Sequence, residues 1–205
     1  MLKALLIALL PKSLRIFLRE KITQAWRRLK APRMIWGYRN FDGSFQELTR
    51  ISDTVVLKHP EKITIGDNVF VGHHSILDGT GGLEIGEGCQ VGFWCGLFTH
   101  SSHCAIRLYG RHYQDIPEYE KVAYDIAPVS IGKYVFIGAG CIILPGTQIG
   151  DGALVSAGAL VAGSFEAFAI ISGSPAKKVG DTRTLDKRHL RDPQLLEWYE
   201  EWQKS

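Results

Sequence analysis

Residues 131–161 read IGKYVF-IGAGCI-ILPGTQ-IGDGAL-VSAGAL-V. Ile131, Ile137, Ile143, Ile149, Val155 and Val161 return at every sixth position, and Gly132, Gly138 and Gly150 follow three of them. An earlier block, residues 65–97, keeps the same rhythm across a two-residue slip: Ile65-Gly66, Val71-Gly72, Leu77-Asp78, then Ile85-Gly86, Val91-Gly92 and Leu97. A period of six fits neither a helix at 3.6 residues per turn nor a two-faced strand. It is the mark of a parallel β-helix, an all-β solenoid in which each hexad is one short strand and a turn. The aliphatic residue is expected to point inward and glycine to turn the corner. The fifth residue of each hexad is short (Val69, Ser75, Cys89, Cys95, Val135, Cys141, Thr147, Ala153, Ala159) and is expected to fill the remaining interior.

Three hexads per coil set residues eighteen apart above one another: Ile131 over Ile149, Ile137 over Val155, Ile143 over Val161. Each coil then rises by about 4.8 Å, the strand spacing of a sheet. Periodicity leaves the coil's handedness open, and general crossover rules favour the right-handed sense.

Charge and cysteines narrow the function classes. The net charge of +3 divides unevenly. Residues 1–30 hold Lys3, Lys12, Arg15, Arg19, Lys21, Arg27, Arg28 and Lys30 against Glu20 alone, a balance of +7 that leaves −4 for the remainder. The body therefore lacks the basic face that nucleic acid requires. Four cysteines have neither disulfide nor metal spacing; three fall on the small inward position and Cys104 falls in a loop, which reads as reduced thiols in a cytoplasmic protein.

The apolar run at residues 4–10 ends at Pro11-Lys12, too short to span a bilayer, and no small-residue cleavage site follows it. Beyond it Leu14, Leu18, Ile22, Ala25 and Leu29 keep helical spacing with basic residues between. Two readings stand: a cap on the open end of the solenoid, or a basic amphipathic helix giving residues 1–30 a peripheral contact with the inner membrane face. At the other end, residues 185–203 read as a helix with Asp192-Pro193 starting its second half, and Leu195, Trp198, Tyr199 and Trp202 on one side.

Between Leu97 and Val129 the rhythm stops, and the inserted segment carries His100, His103, His112, several tyrosines and the arginines Arg107 and Arg111. Insertions in a solenoid project as loops, often on the binding side. His73 and His74 stand at outward corner positions of another hexad.

On these residues the chain resembles the left-handed parallel β-helix acyltransferases, and among them the bacterial sugar and polysaccharide O-acetyltransferases of the maltose and galactoside type. The resemblance covers about residues 50–180 and rests on three stretches: residues 75–86 (SILDGTGGLEIG), Thr99-His100-Ser101-Ser102-His103, and residues 128–180 with their closing Gly173-Ser174-Pro175-Ala176-Lys177. It implies the left-handed sense, a homotrimer, acetyl-CoA as co-substrate, no metal, and direct transfer without a covalent enzyme intermediate. It further implies that a histidine of the Thr-His-Ser-Ser-His segment is the general base. A neutral imidazole near an acceptor hydroxyl removes its proton as the new bond forms. His103, preceded by Ser102, is placed first and His100 second.

The resemblance assigns Asp78, with Arg107 and Tyr109, to the acceptor. Phe136, Gly138 and Ala139 are assigned to flank the thioester, with the Ala139 N–H as an oxyanion donor. Ser156 and Ala157 would line the pantetheine arm, and Lys177, with Lys178, would meet a nucleotide phosphate. The chain departs from the family in having Ala162-Gly163 where a Thr-Lys pair is common, and Gly180 where a basic residue is common. Lys178 is placed to compensate.

The expected organisation is an N-terminal basic amphipathic helix and linker at 1–48, a left-handed β-helix at 49–180 with an excursion at 98–128, and a C-terminal helix at 181–205. The expected activity is O-acetylation of a sugar hydroxyl of a cell-surface polysaccharide or its precursor. The alternatives are N-acetylation of an amino-sugar nucleotide, a metal hydratase resembling the γ-type carbonic anhydrases, and a non-catalytic binding scaffold. The hydratase needs three imidazoles converging on one zinc, a spacing this sequence lacks.

Overall fold

The computed structural model describes residues 11–204, in two units that part after Arg33. The apolar run at 4–10 lies outside the described residues. The first unit is helix α1, Lys12–Lys30. It stops at Ala31, which is extended (φ −65°, ψ 137°) because Pro32 follows and disfavours helical geometry before it. Arg27, Arg28 and Lys30 in its last turn suit the negative end of the helix dipole. No helix among the described residues is long and apolar enough to cross a membrane.

The second unit is a triangular parallel β-helix. Its three faces are parallel ladders, two of five strands and one extended to eight by antiparallel additions at its ends. Face one stacks Ile51, Val71, Val91, Ile137, Val155 and Ile171 in register. Face two stacks Leu57, Leu77, Leu97, Ile143 and Val161. Face three stacks Ile65, Ile85, Ile131, Ile149 and Phe165. The hexad rhythm thus becomes one inward residue per face per coil, and the stacked pairs read from sequence all occur. The parallel architecture is observed directly, as three stacked sheets.

The short fifth residues, from Val69 to Ala159, are all buried and share the interior with these aliphatic ladders. Cys89, Cys95 and Cys141 are buried free thiols. Burial pushes the Cys89 thiol up to about 12, so it behaves as a small apolar filler.

The hexad glycines serve a different purpose from the one expected. Gly86 does not carry the unusual corner dihedral; a Cβ there would stand 2.6 Å from the Gly132 carbonyl of the next coil. The corner falls two residues later, where φ is positive: 61° at His74, 56° at Trp94, 72° at Gly140 and 73° at Gly158. Close approach between coils, rather than chain reversal, requires the glycine after the aliphatic residue.

Residues 34–52 form an antiparallel hairpin, β1 (Met34–Arg39) and β2 (Phe45–Ser52), and β2 opens face one by pairing in parallel with Phe70–Val71. At the far end Ala169–Gly173 pairs antiparallel with Ala176–Asp181, closing the same face. The C-terminal segment is two short helices, Thr182–Asp186 and Pro193–Trp202, in place of the continuous helix read from sequence. Asp192 stops the chain between them and caps the second, its Oδ1 accepting from Gln194 N at 2.9 Å and Leu195 N at 3.2 Å. Trp202 then packs against Tyr134 and Phe168, with ring centroids 4.8 and 5.6 Å away.

Candidate active site

The turn from face two to face three follows Leu77 in one coil and Leu97 in the next, so Asp78 and Thr99-His100 are neighbours in space. Asp78 is 1% exposed. Its Oδ1 accepts from Thr80 N at 3.1 Å and Thr80 Oγ1 at 2.6 Å; its Oδ2 accepts from Thr99 N at 3.0 Å and His100 Nδ1 at 2.5 Å. The Thr99 hydroxyl donates to the Asp78 carbonyl at 2.8 Å while accepting from Gly81 N–H at 2.8 Å. Burial alone would raise the Asp78 pKa. The hydrogen bonds from Thr80, Thr99 and His100 outweigh it and hold the carboxyl well below the usual carboxylate range.

An ionised carboxylate can only accept, so His100 Nδ1 carries a proton. In the neutral ring the lone pair is therefore on Nε2, which no hydrogen bond reaches among the described residues. His100 is 21% exposed and its ring stacks on Tyr124, 5.7 Å between centroids and 23° apart in plane. Burial, followed by the nearby Glu118 charge, pushes the Tyr124 phenol up to about 12, so this partner is uncharged near neutrality.

His103 has a different setting. It is 61% exposed, with Nδ1 2.8 Å from Ser101 Oγ and 3.6 Å from the exposed Asp125 carboxylate. The excursion is tied at its base by His100–Ser101 pairing antiparallel with Asp125–Ile126. Beside this tie lies an open cleft of about 670 Å³ lined by Ser101, His103, Tyr124, Leu144, Pro145 and Ala162, among others. Arg107 and Tyr109, read from sequence as acceptor ligands, are engaged within the loop. Arg107 Nη1 donates to the His103 carbonyl at 2.5 Å, and Tyr109 Oη accepts from Val122 N at 2.8 Å. Asp78 is likewise turned inward, with both oxygens engaged.

The residues assigned to the donor gather at another edge, where face one turns into face two. Ala139 follows Ile137 and Ala157 follows Val155, and Ala157 stands directly over Gly138. Neither Ala139 N–H nor Ala157 N–H donates a hydrogen bond within the chain among the described residues. Phe136 is exposed beside them and Ser156 is half-buried. Lys177 and Lys178 are exposed on the strand that closes face one, and Lys178 is paired with Glu166. His73 and His74 lie at this edge too, with Phe93 and Trp94, a coil edge away from His100 and His103. Among the described residues no three His, Cys, Asp or Glu side chains converge as a metal site would need. One chain thus carries a histidine–carboxylate pair at one edge and two free amides at another.

Two family models match this geometry's framework: the bacterial transferase hexapeptide (six repeats) over residues 128–163, and the hexapeptide repeat of succinyl-transferase over residues 62–92. The chain carries hexapeptide repeats of the kind found in bacterial transferases. The chain is 33% identical over 110 residues to a chloramphenicol acetyltransferase of Agrobacterium fabrum, a match that covers 50% of this chain and 53% of that protein. This chain therefore spans about half the length of that relative. It is 28% identical to a dTDP-4-amino-4,6-dideoxy-D-glucose acyltransferase of Escherichia coli, across 67% of this chain and 81% of the other. Among solved structures, a galactoside acetyltransferase in complex with coenzyme A shares the fold with a TM-score of 0.54 and 23% identity, covering 65% of this chain and 62% of its own.

Thr80, Thr99 and Tyr124 are the site residues that sequence reading missed. Thr99 had a signal, since it immediately precedes His100 in the Thr-His-Ser-Ser-His segment. Tyr124 had none, because only the folded excursion brings it back to His100.

The depressed Asp78 carboxyl has a consequence for stability. In the unfolded chain it titrates near its ordinary value of 3.8, above its folded value, so between the two the unfolded state holds the extra proton and stability rises with pH. The contribution is complete above about pH 4 and is lost as pH falls through the folded value. Asp78→Asn is expected to lower the urea midpoint at pH 7 and to flatten its decline between about pH 4 and pH 2. A variant whose midpoint runs parallel to wild type over that range refutes the assignment.

Proposed function

We propose that this protein transfers an acetyl group from acetyl-CoA to a sugar hydroxyl, with His100 as the general base. The observation that carries the reading is the bond between His100 Nδ1 and the buried Asp78, which leaves Nε2 as the proton acceptor. The acceptor O–H gives its proton to Nε2 as its oxygen attacks the thioester carbonyl. The C–S bond then breaks and the departing CoA sulfur takes that proton. Asp78 acts through His100 and is a positioning residue. Ser101, His103 and Tyr124 border the cleft in which the acceptor would lie.

The donor assignment keeps Phe136, Gly138, Ala139, Ser156 and Ala157, with Lys177 toward the nucleotide phosphates; Lys178 is already paired with Glu166. These residues occupy a different edge from His100, so the working site requires two copies. A closed trimer with head-to-tail contacts sets the donor edge of one copy against the histidine edge of the next. The glycan or its precursor is the acceptor class we favour.

N-acetylation of an amino-sugar nucleotide is the second reading, favoured by the likeness to the Escherichia coli acyltransferase across 81% of its length. The same base serves an amine. The product decides: after incubation with labelled acetyl-CoA and a panel of sugars and amino sugars, an ester releases its label to hydroxylamine and an amide does not. Hydroxylamine-resistant label confined to amino sugars replaces the first reading with the second. No transfer to either class removes both.

A further inference from the structure

Helix α1, taken by itself, carries an apolar side. Leu14, Leu18, Ile22, Ala25, Trp26 and Leu29 recur in steps of three and four, which gathers them within about a third of the helix circumference. Ile22, Trp26 and Leu29 are 51%, 58% and 66% exposed. By the same spacing Lys21 and Arg28 border one edge of this side and Arg19 and Lys30 the other, while Glu20, the helix's one acid, lies opposite. The Lys30 ammonium stands over the Trp26 ring, 5.5 Å from its centroid.

We propose that α1 lies flat on an anionic lipid bilayer, with Ile22, Trp26 and Leu29 among the acyl chains and its basic edges on the lipid phosphates. The charge pattern selects this occupant. A second copy docking on the same side would set basic edges against basic edges, and a nucleic acid backbone has no apolar surface to receive Ile22 and Leu29. Basic rows flanking an apolar arc match an anionic headgroup layer over hydrocarbon. Tryptophan at the boundary fits the depth at which its amphipathic ring is stable. The proposal is independent of the transfer reaction, since it concerns where the chain resides.

The test is sedimentation of the full chain with phosphatidylcholine vesicles, either pure or containing about 30% phosphatidylglycerol. At low salt at least about tenfold more protein is expected on the anionic vesicles, with most of it released by about 0.5 M NaCl. The exposed-site variant Ile22→Ser/Leu29→Ser is expected to bind about tenfold less, and Lys21→Glu/Arg28→Glu to lose the preference for anionic lipid. Wild type is expected to show a blue shift in tryptophan emission that Trp26→Phe lacks. Absence of binding, equal binding to both vesicle types, or unchanged binding by the serine variant overturns the proposal. Retention on duplex DNA that matches the vesicles and ignores the serine substitutions overturns it in favour of nucleic acid.

Discussion

His100→Ala is expected to reduce kcat for acetyl transfer by about 10²–10⁴-fold, the usual contribution of a positioned general base. KM for acetyl-CoA should stay close to wild type, because the residues proposed for the donor lie on another edge of the coil. His103→Ala is expected to cost less than about tenfold, as fits a residue that borders the cleft without being the base. The contrast comes from surroundings. His100 is fixed by a buried carboxylate that Thr80 N, Thr80 Oγ1 and Thr99 N also engage, whereas His103 meets a hydroxyl and an exposed aspartate at the surface. Asp78→Asn supplies the readout that separates positioning from mere structure. An amide facing Nδ1 does not enforce the tautomer with the lone pair on Nε2, so kcat falls in the single variant. In a His100→Ala background the same substitution should cost nothing further, since the two side chains act as one unit. Loss of activity in His103→Ala with His100→Ala near wild type would move the base to His103 and remove the role proposed for Asp78.

The fold was legible because a β-helix repeats one physical demand in every hexad. Each inward position from Ile65 to Val161 meets the same interior, so Ile, Val or Leu recurs there and the coil-to-coil register follows from counting. The flanking pieces lack that constraint. Residues 34–52 hold no hexads, and their antiparallel hairpin comes from pairing that only the assembled face one supplies. The settings of the two histidines also depend on something the repeat does not encode. Directions of side chains in a long excursion are set by how the excursion closes, here by the short antiparallel tie that aims His100 inward at Asp78 and leaves His103 at the rim. The separation of the two half-sites, in contrast, was present in the numbering. Asp78 and His100 follow the face-two residues Leu77 and Leu97, while Ala139 and Ala157 follow the face-one residues Ile137 and Val155. Counting hexads in threes is therefore enough to place the two pairs on different edges of the coil.

That separation carries the second large expected effect, a recovery of activity between two dead variants. Ala157 is exposed at the donor edge, so Ala157→Trp fills the space over Gly138 from outside without entering the core. On its own it is expected to abolish transfer by blocking the thioester arm, as His100→Ala abolishes it by removing the base. When the two variants are co-expressed with different tags and isolated as mixed assemblies, activity should return to about one third of wild type. The fraction follows from a head-to-tail trimer: each site takes its histidine from one copy and its donor edge from the next, so a mixed trimer of either composition holds one site in three with both halves intact. A site built within one chain would always contain one damaged half, and the mixture would stay as inactive as its parents. An active Ala157→Trp homo-oligomer would instead remove the donor from this edge. The geometry makes the first outcome the expected one, because no rearrangement short of unwinding a coil brings Ala157 and His100 of one chain to the same edge of the prism.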